Sequence, residues 1–171
     1  DETPDAFVFS AKAPMRIMQS RALAKTGPQI EDFIGGIVEL GAKLGPLVWQ
    51  FANTKKFEPA DFEAFLQLLP HEHAGLKLRH VVEVRHPSFV VPAFPALCAK
   101  HGIVICHADH AAYPEIGDVT ADFVYSRLQK GSDALPTAYP TKALDAWAER
   151  AKIWAKGGAP PDLPLVDAAH Q

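Results

Sequence analysis

Apolar residues follow two different periods along this chain. Short alternating or continuous apolar runs predict strands, and longer segments with apolar residues three or four positions apart predict helices. The predicted strands are Phe7–Lys12, Leu47–Phe51, Val81–Arg85, Ile103–His107 and Phe123–Leu128. The predicted helices run from Pro28 to the Gly45-Pro46 pair, from Pro59 to Pro70, from Pro92 to Lys100 and from Pro140 to Lys156.

Alternation of strands and helices predicts an α/β fold with a parallel sheet, because parallel neighbours need a crossover that a helix can supply. No glycine-rich phosphate loop follows a predicted strand, which disfavours a nucleotide-binding doubly wound sheet. We therefore predict a TIM-like (β/α) barrel that is incomplete in this chain, with about five parallel strands and intervening helices. Residues 1–158 are predicted to form one domain, and the proline-rich residues 159–171 an extended or disordered tail.

Composition narrows the class of protein. The chain has 171 residues, of which 48% are hydrophobic and 22% charged, enough to bury one core. A formal net charge of -3 gives no basic field, so nucleic acid is not a favoured partner. Neither a membrane-length apolar run nor a signal-peptide pattern is present, so we expect a soluble cytoplasmic protein with no membrane partner. Cys98 and Cys106 lack metal-binding spacing and are expected to be buried thiols.

Polar side chains interrupt the predicted strands near their carboxyl ends. In a strand alternate residues share a face, so Ser10 with Lys12, Glu83 with Arg85, and Tyr125 with Arg127 form rows. Gln50, His107 and Asp109 lie near the ends of the two remaining strands. Because the carboxyl ends of barrel strands carry the active site, this pattern predicts a ligand-binding mouth. The alternative is a buried, mutually satisfied polar network with a structural role.

The charges of this set indicate the kind of ligand. Lys12, Arg85 and Arg127 outnumber Glu83 and Asp109, which favours a ligand with negative charge held by arginine clamps. Tyr125 could add a hydroxyl or a stacking face. Glu83 is the candidate catalytic residue, as an orienting group or a general base.

A divalent-metal set can be drawn from His107, Asp109 and His110 together with Glu83, since imidazole and carboxylate are suitable ligands. Their spacing is not diagnostic, so no metal site is predicted, and the sequence identifies no cofactor. His86 has the opposite parity to Arg85 and is expected to face the helix layer or to cap the following loop.

Four motifs together resemble the YecE-like family, a domain of unknown function also numbered 72. They are F-V-F-S-A-K-A-P at Phe7–Pro14, L-G-P-L-V-W-Q-F at Leu44–Phe51, V-E-V-R-H-P-S-F at Val82–Phe89 and Y-S-R-L at Tyr125–Leu128. The resemblance implies a TIM-like barrel with no established reaction, and a fold-level relationship to metal-dependent phosphodiester-cleaving barrels. It singles out Lys12, Gln50, Glu83, Arg85, His86 and Arg127.

The chain also departs from that family. Met18 and Gln19 stand where the family usually has Thr-His, and Gln129 and Lys130 stand where it has His-Gly. Glutamine neither titrates near neutrality nor serves as a normal metal ligand, which disfavours acid-base or metal chemistry at these positions. The family's domain has one strand before this segment and another after it. We therefore expect exposed strand edges and self-association through them, and we expect the chain to be a piece of a longer polypeptide.

The leading hypothesis is a YecE-like protein that binds a small anionic or phosphate-bearing ligand at the barrel mouth, with hydrolysis of that ligand as a compatible reaction. Two alternatives stay open. One is a non-catalytic binding or scaffold domain, and the other is a metal-dependent, phosphodiesterase-like enzyme that acts on nucleic acid.

Overall fold

A computed structural model describes residues 3–167 and contains a five-stranded, wholly parallel sheet in the order β1-β2-β5-β6-β7. The strands are β1 (Phe9–Lys12), β2 (Leu44–Gln50), β3 (Glu72–His73), β4 (Leu76–Lys77), β5 (His80–Glu83), β6 (Val104–Asp109) and β7 (Tyr125–Leu128). The helices are α1 (Met15–Met18), α2 (Gly27–Ile37), α3 (Pro59–Gln67), α4 (Ala93–Lys100) and α5 (Thr141–Ala155). The sheet curls into a half-barrel, which confirms the predicted α/β class and the incomplete TIM-like barrel.

Strand β2 begins at Leu44, three residues before the predicted start, and so includes the Gly45-Pro46 pair that we interpreted as a helix stop. The pairing of β1 with β2 shifts register at this point, and Pro46 is tolerated because a bulge does not require its missing N–H. A Cβ on Gly45 would lie 2.7 Å from the carbonyl oxygen of Phe9. Glycine is therefore required for the close approach of β1.

Helix α2 ends at Ile37, and 3-10 turns over Val38–Lys43 complete the connection to β2. Gly41 lies within these turns with φ of 55°, a conformation that glycine adopts without steric cost. Two short elements were not predicted, helix α1 and the antiparallel hairpin of β3 with β4. Both are too short to produce a hydrophobic period.

The main core lies between the outer face of the sheet and the helices. Trp49 of β2 is fully buried there, with Phe33 of α2 and Phe65 of α3 in edge-to-face contact at 5.7 and 5.6 Å. A smaller cluster fills the inner face and consists of Val48, Val81, Val104 and Cys106 with Ala121, Phe123 and Tyr125 packed against them. Because parallel strands bury both faces, polar groups on the inner face need a specific explanation.

The described part of the predicted tail, residues 159–167, contains no helix or strand but packs against the loop before β7. Leu163 is only 6% exposed, and the backbone N–H of Gly117 donates to the carbonyl of Pro164 at 2.8 Å. Residues 168–171 of that predicted tail lie outside the described residues. None of the helices within residues 3–167 combines the length and the apolar character that crossing a membrane would require.

Candidate functional site at the mouth of the half-barrel

Strand register brings the inward-facing polar residues together at the carboxyl end of the sheet. Gln50 pairs with Glu83 across β2 and β5, and Lys12 lies on the same end of β1, opposite Val48. Arg127 of β7 pairs with Ala108, and its side chain extends across the inner face towards Glu83. Arg85, two residues after Glu83, has the same parity.

The carboxylate of Glu83 is the centre of this cluster and is completely buried. The amide nitrogen of Gln50 donates to both of its oxygens at 3.0 Å. Arg85 donates to Oε1 through Nε at 3.0 Å and Nη2 at 2.9 Å, and Nη1 of Arg127 donates to Oε2. The charge is therefore paired and hydrogen-bonded on both oxygens, which is the condition for keeping a buried carboxylate ionised.

These contacts set the protonation state of Glu83. Burial alone would raise the pKa of its carboxyl, but hydrogen bonds from Gln50, Arg127 and Arg85 and the charge of Arg127 outweigh burial and hold the pKa below its ordinary value. Glu83 is thus an anion at neutral pH and a poor proton acceptor. This state suits an orienting role better than that of a general base, whose pKa should lie near the working pH.

Glu83 accepts hydrogen bonds from only some of the N–H groups of the two arginines. Arg85 is 22% exposed and contacts Glu83 through Nε and Nη2, which leaves Nη1 with no partner among residues 3–167. Arg127 is 34% exposed and contacts Glu83 through Nη1. Lys12 is exposed and makes no ion pair or hydrogen bond within the same range. Two arginines therefore pair with one buried anion, and Lys12 adds a further positive charge at the same end of the sheet.

A cavity of about 270 Å³ lies beside Lys12 and Arg85, at the carboxyl ends of β1, β2 and β5, and neither Glu83 nor Arg127 is among its lining residues. Its charged and polar walls are Lys12, Gln19, Gln50, Asn53, Arg85 and Tyr113. A larger cavity, of about 450 Å³, lies between the loop before β7 and the end of α5. That cavity has Asp122 as the one charged residue in its wall, so it lacks the converging polar groups that orient a ligand.

Tyr113 is a member of the site that the sequence analysis missed. The guanidinium of Arg85 lies 4.6 Å from the centre of its ring, and His110 stacks on the ring at 3.9 Å. A cation over an aromatic face is attracted by the ring quadrupole, so Tyr113 helps to hold the Arg85 side chain. Tyr113 belongs to a loop without periodicity, and only its position after the fourth predicted strand could have drawn attention to it.

Tyr125 stands deeper in the half-barrel than the arginines. Its hydroxyl lies 3.0 Å from the hydroxyl of Ser10, which also donates to the carbonyl of Pro46 at 3.1 Å. The ring of Tyr125 packs against the inner apolar cluster that contains Cys106. The structure therefore places Tyr125 beneath the cavity, where it connects strands.

Asp109 and His107 lie on the opposite face of β6 from the mouth residues with which they were grouped, and neither lines the cavity. Since Ala108 shares its face with Arg127, both neighbours of Ala108 point to the outer face of β6. Asp109 accepts from the hydroxyl of Tyr139 at 3.1 Å and pairs with Lys130 at 2.7 Å. The prediction counted nearness to the strand end and ignored parity.

His107 lies in the same outer layer, beneath α5. Its ring contacts Trp147 at 5.4 Å and Trp154 at 6.1 Å, and Nε2 lies 3.2 Å from a carboxylate oxygen of Glu115. Burial lowers the pKa of His107, and the charge of Glu115 offsets this effect only in part. Within the part of the chain that the structure describes, no three His, Cys, Asp or Glu residues are grouped so that they could hold a metal ion.

His86 caps the turn that follows β5. Its Nδ1 accepts from the backbone N–H of Ser88 at 3.1 Å and lies 2.8 Å from the Ser88 hydroxyl. The same hydroxyl accepts from the backbone N–H of Phe57 at 2.8 Å. His86 thus anchors the loop beside Arg85, in agreement with its parity, and it is not among the residues that line the cavity.

Residues 1–163 match the family described as "Protein of unknown function DUF72", and the chain belongs to that family. This result confirms the YecE-like resemblance given by the four motifs. No curated protein matches the sequence.

Solved structures of the family share the fold. A DUF72 family protein from Thermotoga maritima superposes with a TM-score of 0.70 at 21% identity, over 91% of this chain and 65% of its own. A DUF72 family protein from Enterococcus faecalis gives 0.65 at 17% identity, over 91% of this chain and 66% of its own. The chain therefore spans slightly less than two thirds of the length of these relatives.

Proposed function

We propose that this chain binds a small anion, with a phosphate or carboxylate group, in the cavity at the mouth of its half-barrel. Lys12 and Arg85 bind the anionic group, and Arg127 contributes positive charge beside them. Glu83 and Gln50 orient the arginines. The observation that carries the proposal is that Lys12, which has no partner among residues 3–167, lines a cavity together with Arg85, whose Nη1 has no partner in the same range.

Charge and geometry support this assignment together. Glu83 neutralises only part of the positive charge around it, and its buried carboxylate holds the forks of Arg85 and Arg127 in fixed orientations. A fixed guanidinium with free N–H groups matches phosphate and carboxylate oxygens, because little rotational freedom remains to be lost on binding. The ammonium of Lys12 adds a second charge from the neighbouring strand end.

A general-base role for Glu83 receives no support from its surroundings, because the same arginines that orient it lower its pKa. The proposal therefore gives Glu83 a positioning role. The sequence also suggested hydrolysis of the bound ligand. That reaction would need a group other than Glu83 as the general base.

The competing hypothesis is that the polar cluster has a purely structural role. Substitution of an arginine cannot distinguish this hypothesis from anion binding. Removal of Arg127 leaves a buried, underpaired carboxylate and destabilises the protein whether or not a ligand binds. Lys12 does separate them, because it is exposed and has no partner within residues 3–167. Only the binding hypothesis gives this side chain a role.

The test measures binding of inorganic phosphate and pyrophosphate to Lys12→Gln. The melting temperature of the wild-type chain should rise with ligand concentration, and the shift should shrink as salt increases. In Lys12→Gln the affinity should fall by about tenfold or more, as expected for a lost charge-assisted contact. Binding isotherms by calorimetry give the same comparison directly.

The matched control is Lys77→Gln, an exposed lysine on the distant β4 hairpin with the same change in net charge. The control variant should bind phosphate as the wild type does. An equal loss of phosphate affinity in both variants would mean that Lys12 acts only through long-range charge. Equal affinity in all three proteins would mean that Lys12 does not contact the ligand. No binding of either anion by the wild type would favour the structural network.

A further inference from the structure

The cavity at the mouth offers neutral hydrogen-bonding groups as well as positive charge. On the basis of the proposed anion site, we infer that its ligand is a polyhydroxylated anion, of the sugar-phosphate or sugar-acid class. The observation behind this inference is the convergence of three amide side chains with unused hydrogen-bonding groups on the wall that carries Lys12 and Arg85.

The three amides are Gln19, Gln50 and Asn53, which come from the loops after β1 and β2 and from β2 itself. Gln50 donates through Nε2 to Glu83, and its Oε1 accepts no hydrogen bond from the described residues, 3–167. The exposed side chains of Gln19 and Asn53 make no hydrogen bond within residues 3–167. An amide supplies both donors and an acceptor, and so matches a hydroxyl group, which both donates and accepts.

The aromatic residues in the wall do not offer a platform for a planar base. The ring of Tyr113 has Arg85 at 4.6 Å and His110 stacked at 3.9 Å, and Phe51 is only 1% exposed. Proteins that bind nucleotides through single bases rely on stacking against open aromatic faces. The hydroxyl of Tyr113 makes no hydrogen bond within residues 3–167, so it is a further group suited to ligand hydroxyls.

The size of the cavity agrees with a compact ligand. Its volume of about 270 Å³ lies below the range of roughly 300–1,000 Å³ that is usual for drug-sized ligands. Met15 is exposed in the wall and adds flexible, polarizable surface against which the C–H faces of a sugar can pack. A monosaccharide with one anionic group fits these features better than a dinucleotide or an oligonucleotide.

The experiment compares affinities by calorimetry for inorganic phosphate, acetate, ribose 5-phosphate, glucose 6-phosphate, gluconate and adenosine monophosphate. At least one sugar phosphate should bind about tenfold or more tightly than phosphate, or gluconate should exceed acetate by the same factor, as expected for one or two added neutral hydrogen bonds. A gain of the sugar phosphates over phosphate indicates a sugar phosphate as the ligand, and a gain of gluconate over acetate indicates a sugar acid.

The double variant Gln19→Met, Asn53→Leu should lose most of this gain, measured within the variant as the ratio of its affinities for the sugar ligand and for the parent anion. Gln29→Met, at an exposed position of α2 outside the cavity, is the control and should retain the gain. Melting temperatures of all variants report whether the fold is intact.

Each other outcome has a definite meaning. Equal affinity for every sugar ligand and its parent anion would overturn the polyol assignment while the anion site stands. A gain that survives the double variant would overturn the role of the amides. If adenosine monophosphate binds about tenfold more tightly than ribose 5-phosphate, the site recognises a heterocyclic base, and the polyol assignment is wrong. Absence of binding by every anion would overturn the proposed function as well.

Discussion

Ser10 and Tyr125 lie within hydrogen-bonding distance, with their hydroxyl oxygens 3.0 Å apart, although they belong to β1 and β7, the two edge strands of the five-stranded sheet. A flat sheet would separate these edges by four strand spacings of about 4.8 Å each. The contact therefore requires strong curvature, and it closes the space beneath the candidate site.

Loss of this hydroxyl pair should destabilise the protein modestly. Tyr125→Phe keeps the ring in the inner apolar cluster and removes only the hydroxyl, and Ser10→Ala removes the other partner. Since the pair lies at an exposed position, we expect a coupling energy of about 0.5–1 kcal/mol in a double-mutant cycle. Urea unfolding of the two single variants and the double variant measures this energy. Strictly additive effects would mean that the two hydroxyls do not interact in solution.

Neutralising Glu83 should be among the most damaging polar substitutions in the chain. Glu83→Gln leaves Arg85 and Arg127 without their buried counter-charge, and turns an amide N–H₂ towards guanidinium donors. We expect a loss of about 3 kcal/mol in the free energy of unfolding. Urea denaturation should show no comparable loss for the control Glu39→Gln, an exposed carboxyl in the turns before β2. A loss below about 1 kcal/mol would mean that solvent already screens the cluster.

Acid should destabilise the fold through a buried histidine outside the candidate site. His80 accepts at Nδ1 from the indole N–H of Trp49 at 3.1 Å, which leaves Nε2 to donate to the carbonyl of Pro70 at 2.7 Å. Burial lowers the pKa of His80 from 6.5 to about 4, against the opposing effect of the Pro70 carbonyl. The folded state therefore stabilises the neutral form of His80.

The sign of this effect follows from linkage. A depressed histidine pKa contributes stability that is complete above pH 6.5 and is lost as the pH falls towards 4, with a total of about 3 kcal/mol. His80→Gln can offer the same acceptor and donor without titrating, so the difference in unfolding free energy between wild type and variant should narrow over this window. A constant difference from pH 7 to about 4 would show that His80 does not titrate differently on folding.

The two cysteines should be unreactive in the folded protein. Burial raises the pKa of Cys106 to about 12, and the charge of Glu83 adds to this effect. Burial also raises the pKa of Cys98. Because the thiolate is the reactive species, a thiol reagent such as Ellman's should react at neutral pH only when the chain is unfolded in denaturant. Rapid reaction of one thiol in native buffer would indicate local opening of β6 or α4.

The sequence predicted much of the candidate site because strand parity is a local property. Glu83 could be placed on one face with Arg85, and Arg127 on one face with Tyr125, from their spacing alone, and the family resemblance singled out Glu83, Arg85 and Arg127 as well. Asp109 was grouped with the mouth from its nearness to a strand end, whereas its parity turns it to the outer face of β6. Tyr113 and Asn53 were missed because loops have no hydrophobic period, so their positions depend on contacts with distant strands. Gln19 was noted only as a departure from the family.

The sequence by itself determined the alternation of strands and helices, the class of fold, the family and the excess of cations at the strand ends, since each of these follows from local period, composition or motif. Only the tertiary structure decided how the charges are shared. It buried Glu83 between two arginines, placed Lys12 beside a cavity with no partner in the described part of the chain, and curved the sheet until Ser10 met Tyr125. These outcomes depend on side chains that are far apart along the chain, and their pairing is fixed by the register and curvature of the whole sheet.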